Sequence, residues 1–119
     1  MGCKSAVALL LACLPLGGCF GLIDGHTRVP DWPELKVVEF HVAETEMRDQ
    51  CARYMPPFVS PSACTLFYFD RHEAHIYVSK DFPSDLILRH ERLHAAGYDH
   101  SGSSAMARLW RDWRARAGR

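Results

Sequence analysis

The chain has 119 residues, 48% of them hydrophobic, and its 14 Lys and Arg balance 14 Asp and Glu to a formal net charge of zero. This length gives room for one small domain with a modest core. The balanced charge gives no electrostatic reason to expect a nucleic acid as a partner.

Residues 1 to 18 have the pattern of a signal peptide. Lys4 supplies positive charge, and the apolar run over residues 6 to 16 is too short to span a bilayer. Residues 16 to 19, Leu-Gly-Gly-Cys, resemble the bacterial lipobox, which implies cleavage before Cys19 and a lipid on its sulfur. We therefore expect a lipoprotein of the bacterial cell envelope, anchored to the membrane with its domain on the periplasmic or extracellular side. A plain secretory signal peptide is the alternative.

Residues 19 to 34 combine the predicted lipid site with several Gly and Pro, which predicts a tether to a domain over residues 35 to 119. The domain begins with a predicted strand over residues 35 to 42, because Val and Phe recur there. A helix is predicted from Glu44 to Tyr54, and its inward side chains are Met47, Cys51 and Tyr54.

Five Cys are present, and only Cys51 and Cys64 remain once the signal peptide is removed and Cys19 carries lipid. A disulfide between them is the default in an oxidising compartment. Three Pro between the two positions predict a loop that this bond would close, with a gain of about 3 kcal/mol. The alternative is that both are thiolate ligands of a metal.

Residues 65 to 69 and 75 to 79 are β-branched and aromatic runs joined by a short polar stretch, which predicts a hairpin. A strand of this hairpin that borders a cleft could pair with an extended peptide substrate, and the alternative is that the hairpin is only half of the core sheet.

Two further helices are predicted after the hairpin. One begins after Ser84 as N-cap and continues to about Ala96, with its buried side formed by Leu86, Ile87 and Leu93. The last begins at Ser103 or Ser104 and packs its apolar side on the core: Met106, Leu109, Trp110 and Trp113. The predicted fold class is α+β, with a short sheet containing antiparallel strands packed on the first of these helices, and a C-terminal helix.

Residues 90 to 100 read His-Glu-Arg-Leu-His-Ala-Ala-Gly-Tyr-Asp-His, an unbroken match to the pattern H-E-x-x-H-x-x-G-x-x-H. His90 and His94 are four residues apart, so they project from one face of a helix and can bind one metal ion. Gly97 allows the helix to end in a left-handed conformation, after which His100 can return as a third ligand. Three His leave the fourth position of a tetrahedral Zn²⁺ open, which is typical of catalytic zinc.

This signature resembles that of the metzincin clan of zinc metallopeptidases. The resemblance implies that His90, His94 and His100 bind Zn²⁺ and that Glu91 is the catalytic general base. The expected reaction is hydrolysis of a peptide or amide bond, with a peptide, a protein or peptidoglycan as substrate. Met106 is the only Met after the motif and falls in a predicted helix, whereas the clan has a Met-turn beneath its zinc. The prediction is therefore a minimal zincin-like domain.

Several alternatives stay open. Asp99 or Asp112 could replace His100 as the third ligand, and Asp99 could instead orient a ligand His. Residues 94 to 100 also resemble the end of the signature of the YbeY family of bacterial rRNA-maturation endonucleases, which would imply RNA cleavage in the cytoplasm. Glu91 and the lipobox favour hydrolysis at the envelope instead. The last alternative is a zinc-binding lipoprotein without catalysis.

Overall fold

The structure is a computed structural model that describes residues 26 to 55 and 60 to 118. The predicted signal peptide and the predicted lipid site Cys19 lie outside the described residues. Over the described ranges the elements, in chain order, are β1 (His26–Arg28), β2 (Lys36–Val42), α1 (Glu44–Ala52), β3 (Ala63–Tyr68), β4 (Glu73–Ser79), α2 (Asp85–Ala95), β5 (Tyr98–His100) and α3 (Ala105–Ala117). None of the helices in these ranges is both long and apolar enough to cross a membrane.

The strands form two separate sheets. The larger has the order β2-β4-β3, in which β2 is parallel to β4 and β3 is antiparallel to it. The smaller is an antiparallel ribbon of β1 and β5. The predicted hairpin is confirmed as β3 and β4, and the mixed sheet with its C-terminal helix confirms the α+β class.

The three-stranded sheet is covered on both faces. Successive strand residues point to opposite faces, so alternate positions of β3 enter different cores. Cys64 and Leu66 pack with Met47 and Cys51 of α1. Side chains on the other face of the sheet pack against α3 and against the segment that follows β1, and together they form a larger core. Its buried members include Val29, Trp32, Phe67, Phe69, Ile76 and Met106.

Helix α1 follows the sequence prediction in its first two turns only. Met47 and Cys51 are fully buried, and Cys51 forms a disulfide with Cys64 across a sequence separation of 13. The helix ends at Ala52, earlier than predicted. Tyr54 therefore lies in the turn beyond the helix, where it is 41% exposed, and its predicted inward orientation is wrong.

The folded domain begins before residue 35, so the predicted tether needs correction. Residues 26 to 28 form β1, Val29 donates its backbone N–H to the Gly97 carbonyl at 2.8 Å, and Trp32 is buried in the larger core. The Pro and Gly of this stretch predict irregular backbone, but a segment with irregular backbone can still bury side chains in the core. Residues 26 to 34 belong to the domain.

The last two helices start as predicted. The Ser84 hydroxyl accepts the backbone N–H of Ile87 at 3.2 Å and caps α2. The Ser103 hydroxyl accepts the backbone N–H of Ala105 at 3.2 Å, immediately before α3. Met106 of α3 is fully buried, which confirms its predicted place in the core.

Candidate metal centre

The most buried face of α2 is polar. His90, Glu91 and His94 are at most 2% exposed, whereas Leu86, Ile87 and Leu93, which were predicted to form the buried side, are only half-buried. Ile87 packs against the larger core, but hydrophobicity did not identify the most buried side chains of this helix. Burying three ionisable groups in one turn is costly unless they interact with one another or with a ligand, which marks this turn as a candidate site.

Three imidazoles converge beside α2. The Nε2 atom of His90 lies 3.0 Å from Nε2 of His94 and 3.1 Å from Nε2 of His100. A tetrahedral zinc with Zn–N bonds of about 2.0–2.1 Å places its nitrogen ligands about 3.3 Å apart. The observed separations are close to that value, so the three residues predicted as ligands are brought together with suitable atoms facing one another.

The ring of His94 is fixed in the orientation that a ligand needs. Its Nδ1 donates to the carbonyl of Tyr98 at 2.7 Å, which leaves the lone pair of Nε2 directed toward the other histidines. Burial lowers the pKa of His94 to about 2 and that of His90 to about 4, and it lowers the pKa of His100 as well. All three are therefore uncharged at neutral pH, which is the form that binds metal ions.

A fourth histidine, His26, completes the cluster. One nitrogen from each of His26, His90, His94 and His100 can be chosen so that all four lie within 4.8 Å of one another. The His26 ring centroid is 5.1 Å from that of His90 and 5.8 Å from that of His100. This group of four histidines can hold a metal ion.

His26 is not among the metal ligands that the sequence predicts. It is one of seven His in the chain, it lies far upstream of the motif, and it falls in a stretch interpreted as tether. Only the pairing of β1 with β5, which sets His26 directly opposite His100, brings it to the site. A non-local pairing of this kind leaves no fixed spacing that could have revealed it.

Gly97 makes the return from α2 to β5 possible for two reasons. Its φ of +101° lies in the region that other residues rarely adopt. A Cβ atom here would also lie 2.6 Å from Cγ of Trp32. The Trp32 indole N–H donates to the Ala95 carbonyl at 3.1 Å, so the indole closes over the turn that delivers His100.

Neither Asp considered as an alternative third ligand joins the cluster. The carboxylate of Asp99 accepts the backbone N–H of His100 at 2.8 Å through Oδ1 and that of Met106 at 3.0 Å through Oδ2. Asp99 therefore ties β5 to the start of α3, and it holds His100 through its backbone. Asp112 lies on the outer side of α3, where its side chain is 59% exposed and contacts Arg111.

Glu91 lies in the same helical turn but outside the histidine cluster. It is fully buried, and Oε1 accepts the Thr65 hydroxyl at 2.7 Å. Among the described residues its Oε2 has no hydrogen-bond partner. Burial raises the pKa of Glu91 to about 8, partly opposed by the Thr65 hydrogen bond. One oxygen of the carboxyl group is thus fixed by Thr65, and the other can accept a proton or a hydrogen bond from a ligand.

Comparison of the chain with protein-family models, with curated proteins and with solved structures gave no match. The function has therefore to be argued from the residues and the geometry of the centre.

Proposed function

We propose that the protein is a zinc-dependent metallohydrolase that cleaves peptide or amide bonds at the bacterial cell envelope. The observation that carries this proposal is the convergence of His90, His94 and His100, in which Nε2 of His90 lies 3.0 Å and 3.1 Å from the other two Nε2 atoms. The buried carboxyl group of Glu91 comes from the same turn of α2 as His90 and His94. An all-imidazole donor set suits zinc, copper, iron and nickel, and compact tetrahedral spacing favours zinc among them because copper and nickel prefer planar arrangements.

Each group of the centre has a separate role in the proposed hydrolysis. Bound zinc would supply Lewis acidity, polarising a carbonyl oxygen and making water a nucleophile at neutral pH. Glu91 takes a proton from the attacking water on its free Oε2 and returns it to the leaving amine. Thr65 holds the other oxygen of Glu91 and so fixes the orientation of the carboxyl group.

The substitution Glu91→Gln tests this division of roles. The amide keeps the size of the side chain but cannot accept the proton, so zinc content should persist while cleavage of a peptide library falls by at least about a hundredfold. Zinc per chain and cleavage rates should be measured on the same preparations. Glu46→Gln, which changes an exposed carboxylate of α1, is the matched control and should leave both unchanged. Full activity in the Glu91 variant would remove Glu91 from the mechanism.

The proposed location depends on Cys19, which ends the Leu-Gly-Gly-Cys sequence. Only seven positions separate Cys19 from His26, and a fully extended chain of that length spans about 25 Å. Lipidation would therefore keep the metal centre close to the membrane surface and favour substrates found there. Mass spectrometry should show a diacylglyceryl group on Cys19 in the wild-type protein and none in Cys19→Ser. An unmodified Cys19 in protein purified from bacterial membranes would contradict the anchor.

A second function, metal binding without catalysis, is favoured by one observation. Structural zinc sites have four protein ligands, and His26 would be the fourth in this cluster. In this case zinc would bind in a one-to-one ratio, no peptide would be cleaved, and Glu91→Gln would be silent in every assay except stability.

A further inference from the structure

We propose that His26 is an exchangeable fourth ligand, so that the metal ion holds strand β1 against the centre and β1 acts as a latch over it. With β1 docked, four imidazoles close the coordination sphere. With β1 released, the three remaining histidines leave one position open for water and substrate. This inference rests on the proposed zinc site and concerns how that site is closed and opened.

The first support is the position of His26 relative to the three motif histidines. Strand β1 runs antiparallel to β5, and His26 is the register partner of His100. The His26 ring meets those of His90 and His94 edge-on, with angles of 63° between the ring planes. It therefore reaches the centre from β1, a different element from the helix that carries His90 and His94.

The second support is the small size and high exposure of β1. The strand has three residues, of which Thr27 and Arg28 are exposed and His26 is half-buried. A short ribbon of two strands is only marginally stable on its own in water, because it buries little apolar surface. A bond from His26 to a metal ion would therefore add to the stability of the docked strand.

The third support is a fixed point immediately after the strand. Val29 and Trp32 are both buried, and Val29 donates its backbone N–H to Gly97. These contacts stay in place when β1 leaves, because they belong to the core and not to the ribbon. Release of β1 therefore does not require Val29 or Trp32 to move, and His26 remains close enough to rebind.

Hydrogen exchange of the full-length wild-type protein tests the latch without any substitution. The backbone amides of residues 26 to 28 exchange readily only when β1 is undocked. Their exchange should be at least about tenfold slower with zinc bound than after chelation. The backbone amides of Asp70 and Arg71, in the turn between β3 and β4, are the internal control and should exchange at similar rates in both states. Equal exchange of residues 26 to 28 with and without zinc would overturn the proposal.

X-ray absorption of the zinc-loaded protein gives a second, independent readout. Wild type should show four imidazole ligands and His26→Ala three, with zinc affinity lowered by about tenfold or more. His72→Asn is the matched control, because it removes an exposed imidazole and Asn tolerates the positive φ of 55° found there. It should retain four imidazole ligands and the wild-type affinity.

The two proposals fail in different ways. Three imidazole ligands in the wild-type protein would overturn the latch, whatever the hydrolytic activity. Four ligands in wild type and three in His26→Ala, with no peptide cleavage by either, would support the latch and overturn the hydrolase. If both proposals hold, His26→Ala should cleave peptides faster per bound zinc than wild type.

Discussion

The sheet with α1 and the ribbon with the metal centre are stabilised in opposite ways. Around α1, four fully or almost fully buried side chains and a disulfide form an apolar layer that needs no ligand. In the ribbon, the only buried residue is Asp99, and the neighbouring side chains are half-buried or exposed imidazoles and polar groups. The sheet can hold its shape by packing alone, whereas the ribbon is positioned by one glycine turn, a few hydrogen bonds and the histidine cluster.

This difference predicts that a substitution in one of the two regions should leave the structure of the other region unchanged. A change in the ribbon that spares the larger core should lower metal affinity with the sheet intact, and a change in the disulfide layer should lower global stability with the centre intact. Sites with few shared contacts usually behave independently.

The largest effect is expected from Gly97→Ala. The new Cβ would occupy strained backbone and overlap Trp32, so the free energy of unfolding should fall by about 4 kcal/mol and zinc binding should be lost. Gly102→Ala is a matched control, because that residue also has positive φ but nothing lies within 4 Å of the added atom. It should cost about 1 kcal/mol and keep zinc. Similar losses in the two variants, measured by urea unfolding and zinc titration, would show that the overlap with Trp32 is unimportant.

A somewhat smaller effect is expected from removing the disulfide in the double variant Cys51→Ala, Cys64→Ala. Opening a loop with a sequence separation of 13 should lower the free energy of unfolding by about 3 kcal/mol. Zinc affinity should change little, because neither cysteine belongs to the histidine cluster. Unfolding of the oxidised wild type should be compared with that of the variant, each with and without zinc. A parallel loss of zinc affinity would show that the two regions are coupled.

The same contrast explains how far the sequence predicts this molecule. The hairpin, the Ser84 cap and the convergence of His90 and His94 depend on residues close together in the chain, where strand and helix periodicity apply. The return of His100 is also local, because the turn at Gly97 provides it.

What could not be predicted depends on residues far apart in the chain. The position of His26 requires β1 to pair with β5, and the buried side of α2 is set by Thr65 and the histidine cluster rather than by apolar periodicity. Trp32 lies in an irregular stretch whose Pro and Gly predict a tether, yet it closes over Gly97. No local sequence pattern predicts these contacts between residues that are far apart in the chain.

The smallest effect is expected at the ion pair that joins the two regions. Arg92 of α2 forms two hydrogen bonds with the carboxylate of Glu39 in β2, and these, helped by His41, lower the pKa of Glu39. Because the folded pKa is below the unfolded value of about 4.3, the stabilisation is present above that pH and is lost as the pH falls through the folded pKa. Glu39→Gln should therefore be slightly less stable than wild type at pH 7, and the difference should shrink as the pH falls through the folded pKa.

The difference at pH 7 should be smaller than that of the disulfide variant and should shrink in 1 M salt, because Arg92 is largely exposed and solvent screens the pair. Glu34→Gln, which alters an exposed carboxylate outside this pair, should match wild type at every pH. Urea unfolding between pH 3 and 7 measures all three proteins. A Glu39→Gln deficit that did not shrink at all as the pH fell would assign the loss to packing between the sheet and α2, and the two regions would then be joined by contact rather than by charge.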